Sequence, residues 1–181
     1  MITLKKIPRF ERSLIDLYKK AFPKNERKPI CIINHLMRKN KCDFLAIQSG
    51  EENLGFFIIL KDHNLVLVDY FAIKETARNK GYGKKSLEVL KDTYCDKRIV
   101  LEIESVGLGA QNEEMRIRRK RFYERNGFIS TGAQMCIYNE RMELIYNKND
   151  SPIPDFQEYA SLLENVLGKR LFGIIKLTKI S

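Results

Sequence analysis

Residues 65–90 read LVLVDYFAIKETARNKGYGKKSLEVL. The opening nine are mostly branched or aromatic, interrupted by Asp69, and have the character of a buried strand. Gly81 and Gly83 follow amid Arg78, Lys80, Lys84 and Lys85. From Tyr82 to Tyr94 the apolar positions Leu87, Leu90 and Tyr94 recur at helical spacing. RIVLEIES, residues 98–105, then reads as another strand. Strand, glycine turn, helix and strand in that order predict one βαβ unit over residues 65–104, with its two strands parallel.

The turn has a chemistry of its own. A helix start leaves about four backbone N–H groups without intrahelical partners and carries about half a positive charge, so it attracts phosphate. Two glycines let the chain turn sharply and approach a ligand without Cβ atoms intervening. A diphosphate fits such a nest. The third glycine of a dinucleotide fingerprint and the G-K-[ST] ending of a triphosphate loop are both missing, so the turn alone equally describes an ordinary strand-to-helix connection.

Outward from this unit, FERSLIDLYKKAF places Phe10, Leu14, Leu17 and Ala21 on one side of a helix, and PICIINHLMRK predicts a second helix opened by Pro29. DFLAIQS, LGFFIIL and LVLVDYFAI, separated by turn-like SGEEN and KDHN, predict an antiparallel meander. A helix spans about residues 112–125 and stops at Asn126-Gly127; STGAQMCIY and MELIYN add two strands. NKNDSPIPD, residues 147–155, has linker composition, and Phe156, Tyr159, Leu162, Leu163 and Leu167 predict a short C-terminal helix over 156–168. The expected class is therefore α/β, a mixed sheet flanked by helices, in a single domain over residues 1–181.

The 181 residues suffice for a substantial core, and 33 Lys and Arg against 23 Asp and Glu give a net charge of +10, which favours anionic partners. Cys31, Cys42, Cys95 and Cys136 form no C-x-x-C pair, and His35 and His63 are the only histidines, so no metal site is expected and the thiols read as reduced. The start MITLKKIPRFERSL lacks the apolar core of a signal peptide, and no later run is long enough for a membrane span. A cytoplasmic protein, monomer or homodimer, is expected.

RNKGYG, residues 78–83, matches the [QR]-x-x-G-x-[GA] signature of the GNAT superfamily of N-acetyltransferases, and FYERNGF, residues 122–128, matches that family's second hallmark some forty residues later. The chain resembles this family over residues 54–146, with both motifs in the family's order and on its elements. The resemblance implies a GNAT fold in which two parallel central strands splay apart around acetyl-CoA, the cosubstrate. It places the pyrophosphate on the backbone of Lys80, Gly81, Gly83 and Lys84, with Arg78 alongside. Phe71 and Ile73 would pair through their backbone with the pantetheine arm, the Phe71 N–H donating to the thioester oxygen. Tyr123 matches the tyrosine that protonates the departing thiolate. The implied reaction is direct acetyl transfer to a primary amine in a ternary complex.

On a helical wheel of about 100° per residue, Arg116, Arg119 and Tyr123 share a stripe beside the apolar Met115 and Phe122. Tyr123 is thus expected at a rim, with its pKa lowered by the two arginines, which could equally bind cofactor phosphates. These arginines depart from the asparagine and alanine common in the family. Attack requires a neutral amine, hence a base or a water chain. Asp69 points to the side of Leu67 and Phe71, and Glu102 shares a side of the next strand with Glu104. Acidic residues in apolar strands are costly unless paired or solvated, so Asp69 and Glu102 are candidates for base or substrate contact, or for pairing with the basic helix. GLGA, residues 107–110, reads as a flexible loop. RIRRKR, residues 116–121, could instead serve a nucleic-acid or ribosome-associated role, but its cations spread around the helix rather than forming one stripe. A GNAT-fold module that binds acetyl-CoA without turnover is the other alternative.

Overall fold

The computed structural model describes all residues except Phe10, Asn25, Tyr138, 148–151 and Ser181. The expected helical position of Phe10 and residues 148–151 of the expected linker lie outside the described residues. In chain order the elements are β1 (Ile2–Lys6), α1 (Arg12–Ala21), α2 (Ile30–Arg38), β2 (Cys42–Ser49), β3 (Glu52–Lys61), β4 (Leu65–Ile73), α3 (Tyr82–Thr93), β5 (Arg98–Glu104), α4 (Glu113–Arg125), β6 (Phe128–Ile137), β7 (Glu140–Asn147), α5 (Phe156–Ile175) and β8 (Thr178–Ile180). The strands form a mixed sheet in the order β1-β2-β3-β4-β5-β7-β6-β8. Two compact units divide the chain, Met1–Lys61 with Val68–Cys95, and Asp62–Leu67 with Asp96–Ser181.

In the first unit β1 and β2 run antiparallel from Ile2↔Ser49 to Lys6↔Leu45, and β2 pairs antiparallel with β3 from Cys42↔Leu60 to Ser49↔Glu52. Of the expected meander the antiparallel β2–β3 pairing is present, and β4 follows β3 in the sheet order. Of the positions the periodicity predicts, Leu14 and Leu17 of α1, Leu87 and Leu90 of α3 and Tyr94 just after it are buried while Ala21 is half-buried, and Tyr18, Ile33, Leu36 and Ser86 join the core. Phe44, Phe56, Phe57, Ile58 and Ile59, all fully buried, make the centre of this core. β1 was not anticipated, because ITLKK is short and exposes four of its five residues at least partly.

Gly55 breaks the run of large residues in β3 for a steric reason. A Cβ added there would lie 2.2 Å from the carbonyl oxygen of Ala72 in β4. Backbone cannot yield as a side-chain tip can, so Gly55→Ala is expected to cost about 3 kcal/mol. Urea unfolding checks this: a midpoint equal to that of the native protein would contradict the close approach.

Asp43 of β2 is a buried carboxylate tied to three elements. Its side chain pairs with Lys6 of β1, with Lys61 of β3 at 2.8 Å, and accepts a hydrogen bond of 2.8 Å from the Tyr94 hydroxyl at the end of α3. Burial pushes its pKa up, but these three donors together hold it below the usual carboxylate value. A depressed folded-state pKa means that the stabilisation is complete above the unfolded value of about 4 and is lost as pH falls through the folded one. Asp43→Ala, which leaves Lys61 without its buried partner, is expected to cost about 3 kcal/mol at neutral pH and to flatten the acid limb of stability against pH. An unchanged acid limb in the variant would sink that assignment.

In the second unit β5 pairs antiparallel with β7 from Val100↔Tyr146 to Glu104↔Met142, β7 with β6, and β6 with β8. The start of β4 pairs in parallel with β5 over Leu65↔Arg98, Val66↔Ile99 and Leu67↔Val100. This is the parallel connection predicted from residues 65–104. Asp155 caps α5 in a reciprocal box with Glu158, whose carboxylate also takes Arg98 at 2.5 Å. α5 is longer than the expected 156–168: Gly168 adopts φ 75° and interrupts it, and helix resumes to Ile175 through LFGII. β8 was also unforeseen, three residues being too few to show a period.

Candidate functional site

The glycine turn belongs to the first unit. After Ile73 the chain bonds back to the sheet, Lys74 N–H donating to Leu54 O at 2.8 Å, and makes one 3₁₀ turn over Glu75–Ala77. Asn79 (φ 61°) and Gly81 (φ 77°) both take left-handed backbone conformations. Alternation of such residues with ordinary ones turns successive N–H groups to one side. Gly81 is the N-cap of α3 and receives no side-chain cap; the first backbone bond from this start is Lys85 N–H to Gly81 O at 3.2 Å. The N–H groups of Tyr82, Gly83 and Lys84 therefore precede the helical ladder. A Cβ at Gly81 would meet nothing within 4 Å, so the space over this start is open.

Charge around the turn is arranged to match. Arg78, Lys80, Lys84 and Lys85 are exposed. The Arg78 Nε donates to Ile73 O at 3.2 Å, which anchors the side chain beside the turn. Glu75, the nearest carboxylate in sequence, is engaged by Lys20 at 2.7 Å, and that contact holds its pKa below the usual value. Ser86 Oγ donates to Tyr82 O at 2.7 Å within the first turn of α3. Upstream on β4, Phe71 stacks on Phe57 with ring centroids 4.3 Å apart, and Asp69 is ion-paired to Lys28 at 2.6 Å. Phe71, Ile73, Arg78, Lys80, Gly81, Gly83 and Lys84 thus follow one another along β4 and its turn into α3.

Tyr123, Glu102, Arg116 and Arg119 belong to the second unit. Tyr123 does not sit at a rim: it is 7 % exposed, its ring tilted against Phe122 at 5.2 Å and Phe128 at 5.8 Å. Nor is its pKa lowered. Burial pushes it up to about 12, with Arg119 only partly opposing the rise. The helical wheel of α4 could not show this, because Phe128, which closes over the ring, comes from the next strand. Arg116 turns inward, 8 % exposed, with Nε donating to Asn112 at 2.7 Å and a terminal nitrogen to Glu140 at 3.2 Å. Arg119 pairs with Glu104, which also lies 3.5 Å from Arg116. Lys120 pairs with Glu143 at 2.7 Å. The expected pairing of β5 carboxylates with the basic helix is therefore realised at Glu104.

Glu102 accepts a hydrogen bond from the Tyr159 hydroxyl of α5. Sequence reasoning missed Tyr159, since it lies on the same helical face as Leu162 and Leu163 and reads as core. It also missed Lys28, which stands between two helices where no periodicity operates. The 107–110 loop is not free: Glu113 accepts from Gly107 N–H at 2.5 Å and Ala110 N–H at 3.3 Å, and the Gly107 bond leads in lowering its pKa. Glycines at 107 and 109 serve backbone φ values of 84° and 68°, which a carboxylate three to six residues later then fastens.

Against known proteins, no curated sequence matches. The fold resembles that of a GNAT-family protein from Bacteroides thetaiotaomicron, at 23% identity over 86% of this chain and 90% of that one, with a TM-score of 0.67. An Elizabethkingia anophelis GNAT acetyltransferase with acetyl-CoA bound aligns at 16% identity over 82% and 98% of the two chains, TM-score 0.57. A Vibrio cholerae spermidine N-acetyltransferase in complex with CoA and spermine aligns at 13% identity over 80% and 94%, TM-score 0.57. Among the described residues no helix is long and apolar enough to cross a membrane. The model of the acetyltransferase (GNAT) domain matches residues 40–130, half of the chain, spanning the glycine turn and the Tyr123 motif, and the chain belongs to that family.

Proposed function

We propose that this protein is an N-acetyltransferase that carries the acetyl group of acetyl-CoA to a primary amine by direct attack in a ternary complex. One observation carries the reading: the start of α3 lies behind a left-handed Gly81, without a side-chain cap, ringed by exposed cations. That is a seat for a diphosphate. The adenosine and pantetheine ends supply handles, and the thioester supplies the activated acetyl group. Arg78, Lys80 and Lys84 would neutralise phosphate charge around the amides of residues 80–84.

On this reading the Phe71 N–H stabilises the charge that grows on the thioester oxygen as the amine adds. Tyr123 donates its proton to the sulfur as the C–S bond breaks. Its hydroxyl, with a pKa raised to about 12 by burial, is protonated at neutral pH, as a proton donor must be. Asp69 and Glu102 remain the carboxylates assigned to the incoming amine's proton or charge. Arg116, spent on Asn112 and Glu140, acts as scaffold for α4, while Arg119, half-exposed beside Glu104, retains the reach for a phosphate. These intramolecular pairs, with Lys120–Glu143, favour an ion-paired helix over a nucleic-acid surface.

Calorimetric titration with acetyl-CoA, followed by a screen of amines for free-thiol release, tests the proposal. Saturable binding and amine-dependent release are expected. Binding without release for any primary amine would instead favour the non-catalytic module, and salt-sensitive RNA retention without cofactor binding would favour the nucleic-acid reading.

A further inference from the structure

Lys28 is seated on Asp69 in a built site, and the proposed reaction gives Lys28 itself no part. The Asp69 side chain is 6 % exposed and pairs with the Lys28 ammonium at 2.6 Å. Its second oxygen, Oδ2, is buried without a hydrogen-bond partner among the described residues. The Lys28 side chain is 20 % exposed, with its Nζ 5.4 Å from the centre of the Tyr70 ring. Two hydroxyls pin the backbone that carries it. Tyr18 donates to Lys28 O at 3.1 Å, and Tyr70 both accepts from Lys28 N–H at 3.0 Å and donates to Glu26 O at 2.7 Å. A primary amine is thus held rigidly on a buried carboxylate in mid-strand.

Asp69 and Phe71 lie on one side of β4, about 7 Å apart along the strand. Resting on the acetyl-CoA reading above, in which Phe71 N–H faces the thioester, we infer that Lys28 is an acetyl acceptor within its own chain. The ammonium gives a proton to the Asp69 carboxylate. Nζ then attacks the thioester carbonyl, the N–C bond forms and the C–S bond breaks, and the nitrogen's second proton passes to the departing sulfur, which leaves as coenzyme A. The product is an uncharged acetyl-lysine and Asp69 loses its ion pair. Tethering removes the entropic cost of bringing an amine to the site, so the step is intramolecular.

The test is incubation of the full chain with isotopically labelled acetyl-CoA, with intact-mass measurement and peptide mapping after cleavage at glutamate. One acetyl group on Lys28 is expected, at a rate independent of protein concentration. Lys28→Arg should bind acetyl-CoA with unchanged affinity and take up no label, and Asp69→Asn should slow labelling at least about tenfold. Accessibility alone would label Lys20 and Lys84, whose side chains are 73 % and 66 % exposed, before Lys28. Label spread over such lysines, or undiminished in Lys28→Arg, overturns the inference. Cofactor bound by calorimetry with no label on Lys28 overturns it while leaving the proposed acetyltransferase standing; absence of cofactor binding overturns both.

Discussion

Gly81→Asp is expected to lower the affinity for acetyl-CoA at least about 100-fold, a loss of about 2.7 kcal/mol or more. Two effects combine. The left-handed φ of 77° costs any residue with a Cβ about 1 kcal/mol, somewhat less for Asp, which tolerates this region. The larger effect is a carboxylate placed where the proposal puts the diphosphate, at the helix start that would otherwise attract it. Gly81→Ala separates the two. Its Cβ meets nothing within 4 Å, so it carries the backbone cost without the charge, and its affinity should fall no more than about tenfold. Calorimetry on both variants checks this. Equal losses would show that the turn's shape, not its electrostatics, governs binding.

Tyr123→Phe is expected to reduce kcat about 100-fold, with the acetyl-CoA affinity unchanged. The ring keeps its packing on Phe122 and Phe128, so the fold should persist. The pH dependence gives the sharper distinction. An acid must be protonated to act, and a pKa of about 12 keeps Tyr123 protonated far above neutrality. Turnover of the native enzyme should therefore show no alkaline loss up to about pH 10 from this group. Had the arginines depressed the pKa, as the helical wheel implies, activity would decline below that point. Steady-state rates from neutral to alkaline pH decide between the two.

Residues whose role is set by local chain geometry were the legible ones. Strand character in LVLVDYFAI, the glycines after it and the Leu87–Leu90–Tyr94 spacing define the βαβ unit without reference to any distant residue, and the parallel pairing of Leu65–Leu67 with Arg98–Val100 follows from their order. The shape of the turn was readable because a left-handed N-cap favours glycine, and Gly81 takes that place. Tyr123, by contrast, depends on what covers it. Phe128 decides its burial, and burial decides its pKa, so neighbours on the helix pointed the wrong way. Arg116 appeared available for phosphates until Asn112, Glu104 and Glu140 came within reach. Partners remote in sequence, such as Lys28 on Asp69 or Tyr159 on Glu102, carry no periodic signal at all.

Backbone amide resonances of residues 80–84, followed during titration with coenzyme A, test the central claim most directly. Large, saturable shifts at Gly81, Tyr82, Gly83 and Lys84, absent in Gly81→Asp, are the predicted result. Binding that leaves these amides unmoved while shifting others would contradict it.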